Sequence, residues 1–110
     1  MNEPSSTTGF EAALRDRAQQ AYVLRLYVVG LTPASQRAIM RLREICEQHL
    51  AGRYQLEVID IHLQPELAAE ADIIATPTLL RLLPEPVVRI VGDLADNHRV
   101  LVGLDLRPDE

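Results

Sequence analysis

The chain holds one cysteine, three histidines and a scatter of hydroxyls, and spacing decides what chemistry these can do. Cys46 stands alone, so neither an intrachain disulfide nor a Cys-x-x-Cys redox pair can form. It falls late on the apolar stripe of a helical pattern, where a thiol is packing material rather than a nucleophile. His49, His62 and His98 belong to separate stretches with no Cys or clustered carboxylate at ligand spacing, and they read as surface or turn residues rather than metal ligands. Thr32, Ser35, Thr76 and Thr78 lie near prolines without a histidine partner in sequence, which is the pattern of caps and turns. Asp93 and Asp96 follow Gly92 and are expected to cap the next helix. Gly30, Gly52, Gly92 and Gly103 are isolated, so no phosphate-cradling loop is present. Only "ATPTLL" at 75–80 suggests redox work, as a Thr-Pro pair heading an apolar run, but the matching segment "GLTPAS" offers no thiol. These residues assign no catalytic apparatus, no cofactor and no metal, and binding is the expected activity.

The background composition narrows the class further. With 110 residues and 47% apolar content, the chain suits one domain with its own core. A net charge of −5 lacks the basic stripe that nucleic acid requires. The longest apolar run, Tyr22 to Gly30, is broken by Arg25 and too short for a bilayer, and the start "MNEPSSTTGF" does not resemble a secretory signal. A reducing cytoplasm is the expected location. All eleven basic residues are Arg, the better residue for desolvated or bidentate contacts with a protein partner. Arg37, Arg81 and Arg89 are the candidates for such contacts.

The elements that position these residues divide into a clear half and a conflicted one. Residues 1–21 read as an extension, either a frayed leader with no role or a short helix with Phe10, Ala13, Leu14, Arg17, Ala18 and Ala21 on one stripe. "YVLRLYVVG" is the continuous apolar run of a strand covered on both faces. Thr32 and Pro33 then supply an N-cap and first position for a helix whose apolar residues recur every three or four places, and Gly52 ends it. "YQLEVIDI" at 54–61 follows as a second strand parallel to the first. Beyond Leu63, "QPELAAEADII" predicts a helix of about two turns. Two apolar runs around Pro84-Glu85-Pro86 would form a hairpin in a thioredoxin-like plan. Yet "LLRLL" has a helix former's composition, and "RVLVGLDL" at 99–106 alternates like a strand where that plan needs a helix. Opposed local preferences of this kind mark either functional strain or a second competitive packing.

Taken in order and spacing, "YVLRLYVVGLTPASQRAI", "YQLEVIDI", "IIATPTLLRLLPEPVVRIVGDL" and "RVLVGLDL" resemble the KaiB family of bacterial clock proteins from Tyr22 to Leu106. The resemblance implies a non-catalytic α/β domain over 22–106, with a short tail at 107–110 and two folds. One is a resting tetramer of order βαββααβ. The other is a thioredoxin-like monomer, βαβαββα, with a cis bond expected before Pro77. It further implies that the active form binds the ATPase ring of a KaiC-like protein, captures a KaiA-like protein and displaces a SasA-like histidine kinase. Gly103, Asp105, Pro77 and Pro86 are the positions it associates with the fold switch, and the free chain is expected as a dimer or tetramer. Glu57 and Asp72 stand where the family tends to be basic, and Val88 where an Arg would pair with Arg89. Such changes at a rim alter encounter rate and partner choice. The alternative is a fixed thioredoxin-like adaptor of a histidine kinase or stress pathway that never switches.

Overall fold

A computed structural model describes residues 21–92, 94 and 97–106. Apart from Ala21, the N-terminal extension, helix or leader, lies outside these residues, as do Asp93, Asp96 and the tail. The order is β1 (Tyr22–Val28), α1 (Pro33–His49), β2 (Tyr54–Asp60), α2 (Pro65–Glu70), β3 (Thr78–Leu83), β4 (Val88–Val91) and α3 (Asn97–Gly103). This is the thioredoxin-like βαβαββα order. The sheet runs β2-β1-β3-β4, with β1 parallel to β2 and antiparallel to β3, and β3 antiparallel to β4.

β1 lies inside the sheet, and this explains its nearly unbroken apolar run. Leu24, Leu26 and Val28 point to one face and join Leu42, Ile45, Cys46, Leu79, Ile90, Val100 and Leu104 in the larger core beneath α1 and α3. Tyr27 points to the other face, where it packs with Ile59 and Leu80 beneath α2. α1 starts as its sequence directs: Thr32 Oγ1 accepts the Ser35 backbone N–H at 3.0 Å, and Pro33 takes the first turn. It ends through the Leu50 N–H on the Cys46 carbonyl at 2.7 Å, with Gly52 left-handed at φ 74°.

The conflicted half resolves against its local preferences. "LLRLL" forms β3 because an interior strand with both faces covered needs apolar residues at consecutive positions, and leucine fills them despite its helix preference. "RVLVGLDL" contributes to α3, where Val100, Leu101 and Leu104 form a buried helical stripe and Val102 is exposed. α2 spans six residues, in keeping with the helix of about two turns expected there. Three peptide bonds are cis: Thr76-Pro77, Leu83-Pro84 and Glu85-Pro86.

Candidate functional site

α1 and the Thr76-Pro77 turn enclose a groove of about 520 Å³, closed on its far side by Gly92 and Leu94. Arg37, Met40, Arg41 and Glu44 line it from α1 at spacings of three and four, which place them on one face of the helix. Met40 is 64% exposed, an apolar side chain left in water between two guanidinium-bearing residues. The opposite wall is held rigidly: the Gly92 N–H bonds the Pro77 carbonyl at 2.9 Å, and Thr78 Oγ1 donates to the Ala75 carbonyl at 2.6 Å. Gly92 has φ 102°, a left-handed conformation that side chains other than glycine's rarely adopt.

The groove occupies the place where a redox active site would lie in this topology, and no cysteine is among the described residues that line it. Ser35 is buried, donating to the Val29 carbonyl at 3.2 Å and accepting from the Thr32 hydroxyl at 2.9 Å, so it caps the helix. Cys46 lies in the core on the inner side of α1, and burial pushes its thiol up to about 12, which keeps it protonated and unreactive. Among the described residues, no three His, Cys, Asp or Glu side chains gather where a metal could bind. A face of exposed methionine and alternating charge with a rigid opposite wall suits a protein partner better than a reacting small molecule.

The predicted site residues separate. Arg37 lies in the groove and is exposed. Arg89 is exposed on β4, but its guanidinium donates to the Ala71 carbonyl at 2.7 Å and the Asp72 carbonyl at 3.3 Å, tying β4 to the end of α2. Arg81 is only 6% exposed and donates to the Pro86 carbonyl at 3.0 Å. In this fold Arg81 and Pro86 therefore brace the β3–β4 turn, and this guanidinium is not offered to a partner. Pro77 forms the groove wall. Met40, Arg41 and Glu44 were not foreseen, although their helical spacing from Arg37 was the available signal. His49 is half-buried at the end of α1 rather than on the open surface.

Gly103 and Asp105 close α3 over the sheet. A Cβ on Gly103 would meet Ile90 Cγ1 at 2.9 Å and crowd Cδ1 more closely still, so the helix approaches β4 more closely than alanine permits without a shift of Ile90. Asp105 is left-handed at φ 63°. Its N–H bonds the Val102 carbonyl at 3.0 Å, and the Leu106 N–H bonds the Leu101 carbonyl at 2.8 Å, the paired bonds of a Schellman cap with Asp105 at the position glycine favours. Tyr22 Oη then donates to the Leu104 carbonyl at 2.9 Å in a buried bond. Burial also raises the Tyr22 hydroxyl above its ordinary 10.0.

The acidic departures have local causes. Glu57 accepts from Arg25 Nε at 3.0 Å across the paired β1 and β2 positions, an exposed ion pair of modest strength. Asp72 is left-handed at φ 55° just past α2, a conformation Asp tolerates better than most residues.

A family model described as "KaiB domain" matches residues 25–106. The chain is 56% identical over 93 residues to the circadian clock oscillator protein KaiB of Prochlorococcus marinus (strain MIT 9312), covering 84% of this chain and 89% of that protein. It is 53% identical over 95 residues to the protein of the same name from Nostoc sp. (strain PCC 7120), covering 86% and 88%. Among solved structures, the N-terminal domain of Synechococcus elongatus SasA superposes with a TM-score of 0.65 at 26% identity, over 81% of this chain and 88% of that one. The germline-specific thioredoxin Deadhead of Drosophila melanogaster superposes at 0.63 with 12% identity, over 96% and 97%, a likeness of fold alone. The sequence blocks, the sheet order and these likenesses agree: the chain belongs to the KaiB family of clock proteins.

Proposed function

We propose that the chain is a non-catalytic, cytoplasmic regulator that binds the ATPase ring of a KaiC-like protein and modulates its phosphorylation cycle and signalling output. The observation that carries this reading is the groove between α1 and Pro77, presented on the same thioredoxin-like scaffold as the SasA domain. Two family members sharing one scaffold compete naturally for one docking site, so a SasA-like kinase would be displaced and a KaiA-like protein recruited to the complex. Arg37 and Met40 supply the charged and apolar parts of the contact.

The second component of the proposal is a fold switch. The described form is the binding-competent one, and the resting form is an oligomer in which the segments of β3 to α3 rearrange. The strand-like alternation of "RVLVGLDL" and the helix-forming leucines of β3 support a competing packing of similar energy. One observation favours the fixed-adaptor reading instead: the close seat of Gly103 on Ile90 and the complete cap at Asp105 fit α3 to this fold in detail.

Size-exclusion of the chain with the KaiC homologue of its own genome, in ATP and with phosphomimetic variants, tests the first part. A complex weakened by Arg37→Glu is expected, and no complex after a day of incubation would overturn it. Oligomeric state and circular dichroism across concentration test the second. An oligomer whose helix content changes on dilution is expected; a monomer with one spectrum throughout supports the fixed adaptor.

A further inference from the structure

β2 is an outer strand of the sheet, paired with β1 alone among the described residues. At its two ends the Tyr22 N–H bonds the Arg53 carbonyl at 2.7 Å and the Ile61 N–H bonds the Val28 carbonyl at 2.9 Å. In a parallel ladder this alternation commits the odd-numbered positions to β1, so Tyr54, Leu56 and Val58 turn their N–H and C=O groups to the open side. The other outer strand, β4, is protected, being four residues long and preceded by Pro84 and Pro86, which have no N–H to offer. β2 has seven residues without a proline and keeps an unbroken register with β1, and an edge of that kind is a template for another strand. Its side chains are also half-finished. Tyr54, Leu56 and Val58 are half-buried at the margin of the larger core, and on the other face Gln55 and Glu57 are exposed, with Glu57 accepting from Arg25.

We propose that β2 pairs antiparallel with β2 of a second copy about a two-fold axis at Leu56, joining the two sheets into one. A two-fold contact must match the strand with itself, and the chemistry of β2 selects one register. Centring on Leu56 sets Tyr54 opposite Val58 of the second copy and Leu56 opposite its counterpart, so every outward-turned position from Tyr54 to Val58 exchanges its backbone bonds. The same register places an aromatic residue against a β-branched one and leucine against leucine, pairs that stabilise adjacent strands, along the margin of both cores. On the other face it sets Gln55 opposite Glu57 of the second copy, twice, in non-hydrogen-bonded pairs whose Cα atoms lie about 4.5 Å apart. Each carboxylate then lies between the Arg25 of its own chain and an amide that can donate to it. The neighbouring registers fail. Centring on Glu57 opposes two carboxylates at closest approach. Centring on Gln55 or on Val58 leaves one of the three outward-turned positions without a β2 residue opposite it.

Analytical ultracentrifugation of the full-length chain across concentration tests the pairing. Association is expected, and Gln55→Glu, which opposes carboxylates at both Gln55–Glu57 positions, should weaken it roughly tenfold. Adding Glu57→Gln to that variant recreates the amide–carboxylate pairs in reverse and should recover the association. Both side chains are exposed, so circular dichroism should not change in either variant. Register is read by mixing chains carrying Gln55→Cys with chains carrying Glu57→Cys under mild oxidation. Opposed positions lie within disulfide reach, so crosslinks between the two variants should form faster than crosslinks within either. A chain that stays monomeric at every concentration would overturn the proposal. So would an oligomer that is indifferent to Gln55→Glu, or one in which the mixed crosslink has no advantage. No KaiC-like protein enters the readout, so failure here is distinct from failure to bind the ring.

Discussion

α1 and α3 pack side by side on one face of the sheet, yet they are stabilised in opposite ways. α1 has 17 residues, a threonine cap, a proline in its first turn and a glycine beyond its end, all supplied by its own neighbourhood. α3 has seven residues, and its last turn is completed by a hydroxyl 82 positions away in sequence. A helix so short is marginal alone, and most of its stability comes from tertiary packing. The comparison teaches that one half of this domain is specified locally, whereas the other is specified by what it touches. A segment of the second kind can change structure when its neighbours change.

Deleting a buried leucine from α1 and from the cap of α3 gives the strongest contrast. Leu42→Ala and Leu104→Ala each remove a side chain with no exposed surface and are each expected to cost about 2–5 kcal/mol. Urea unfolding combined with hydrogen exchange distinguishes them. The first should lower protection throughout β1, α1 and β2, and the second should release α3 while leaving that half protected. Equal loss across the chain in both variants would erase the distinction.

Crowding the contact between α3 and β4 should have the next largest effect. Gly103→Ala forces Ile90 to move and is expected to destabilise this fold by about 1–3 kcal/mol, less whatever alanine contributes to the helix. Ile90→Val should recover part of the loss, measured as a non-additive double-mutant cycle. A net gain in Gly103→Ala alone would show that helix preference outweighs the clash. Removing one cap from each helix is gentler: Tyr22→Phe should cost about 1–2 kcal/mol by leaving the Leu104 carbonyl unpaired, and Thr32→Ala about 1 kcal/mol. Faster amide exchange at Leu104 to Leu106 in the former, and near Ser35 in the latter, would assign each loss to its helix.

Alkaline pH probes both helices gradually rather than in one step. The Cys46 thiol has its folded value raised from 9.0 to about 12, so between those values the unfolded chain loses a proton that the folded chain keeps. Stability therefore falls as pH rises through that window, by at most about 1.4 kcal/mol per pH unit. Tyr22, raised above 10.0, adds to the decline at the upper end. Melting curves from pH 8 to 11 should flatten in Cys46→Ala, and an unchanged slope would remove the thiol as the cause.

The same division governs what could be read from the sequence. Thr32-Pro33, the apolar run of β1 and the alternation of β2 carry their structural meaning within a few residues, and these elements formed as expected. "LLRLL" and "RVLVGLDL" were ambiguous because an interior strand and a half-buried helix both accept leucine and valine at most positions. Only the pairing of Leu79 with Leu26 and Ile90 decides the matter for β3, and that is a long-range fact. Arg81 shows the same limit: a charge among leucines reads as a surface residue until the strand is known to lie inside a sheet. The groove was half legible, since Arg37, Met40, Arg41 and Glu44 share a helical spacing, but nothing local says that Pro77 stands opposite.

Arg89 carries a consequence for how α2 ends. The six-residue α2 ends on carbonyls held by a guanidinium from β4, a strand made some 18 residues later in the chain. The turn that leaves α2 is therefore tied to the hairpin of β3 and β4. The exit from α2 is thus set by a residue that follows it in the chain, and Arg89→Ala should loosen that exit while leaving the helix itself in place.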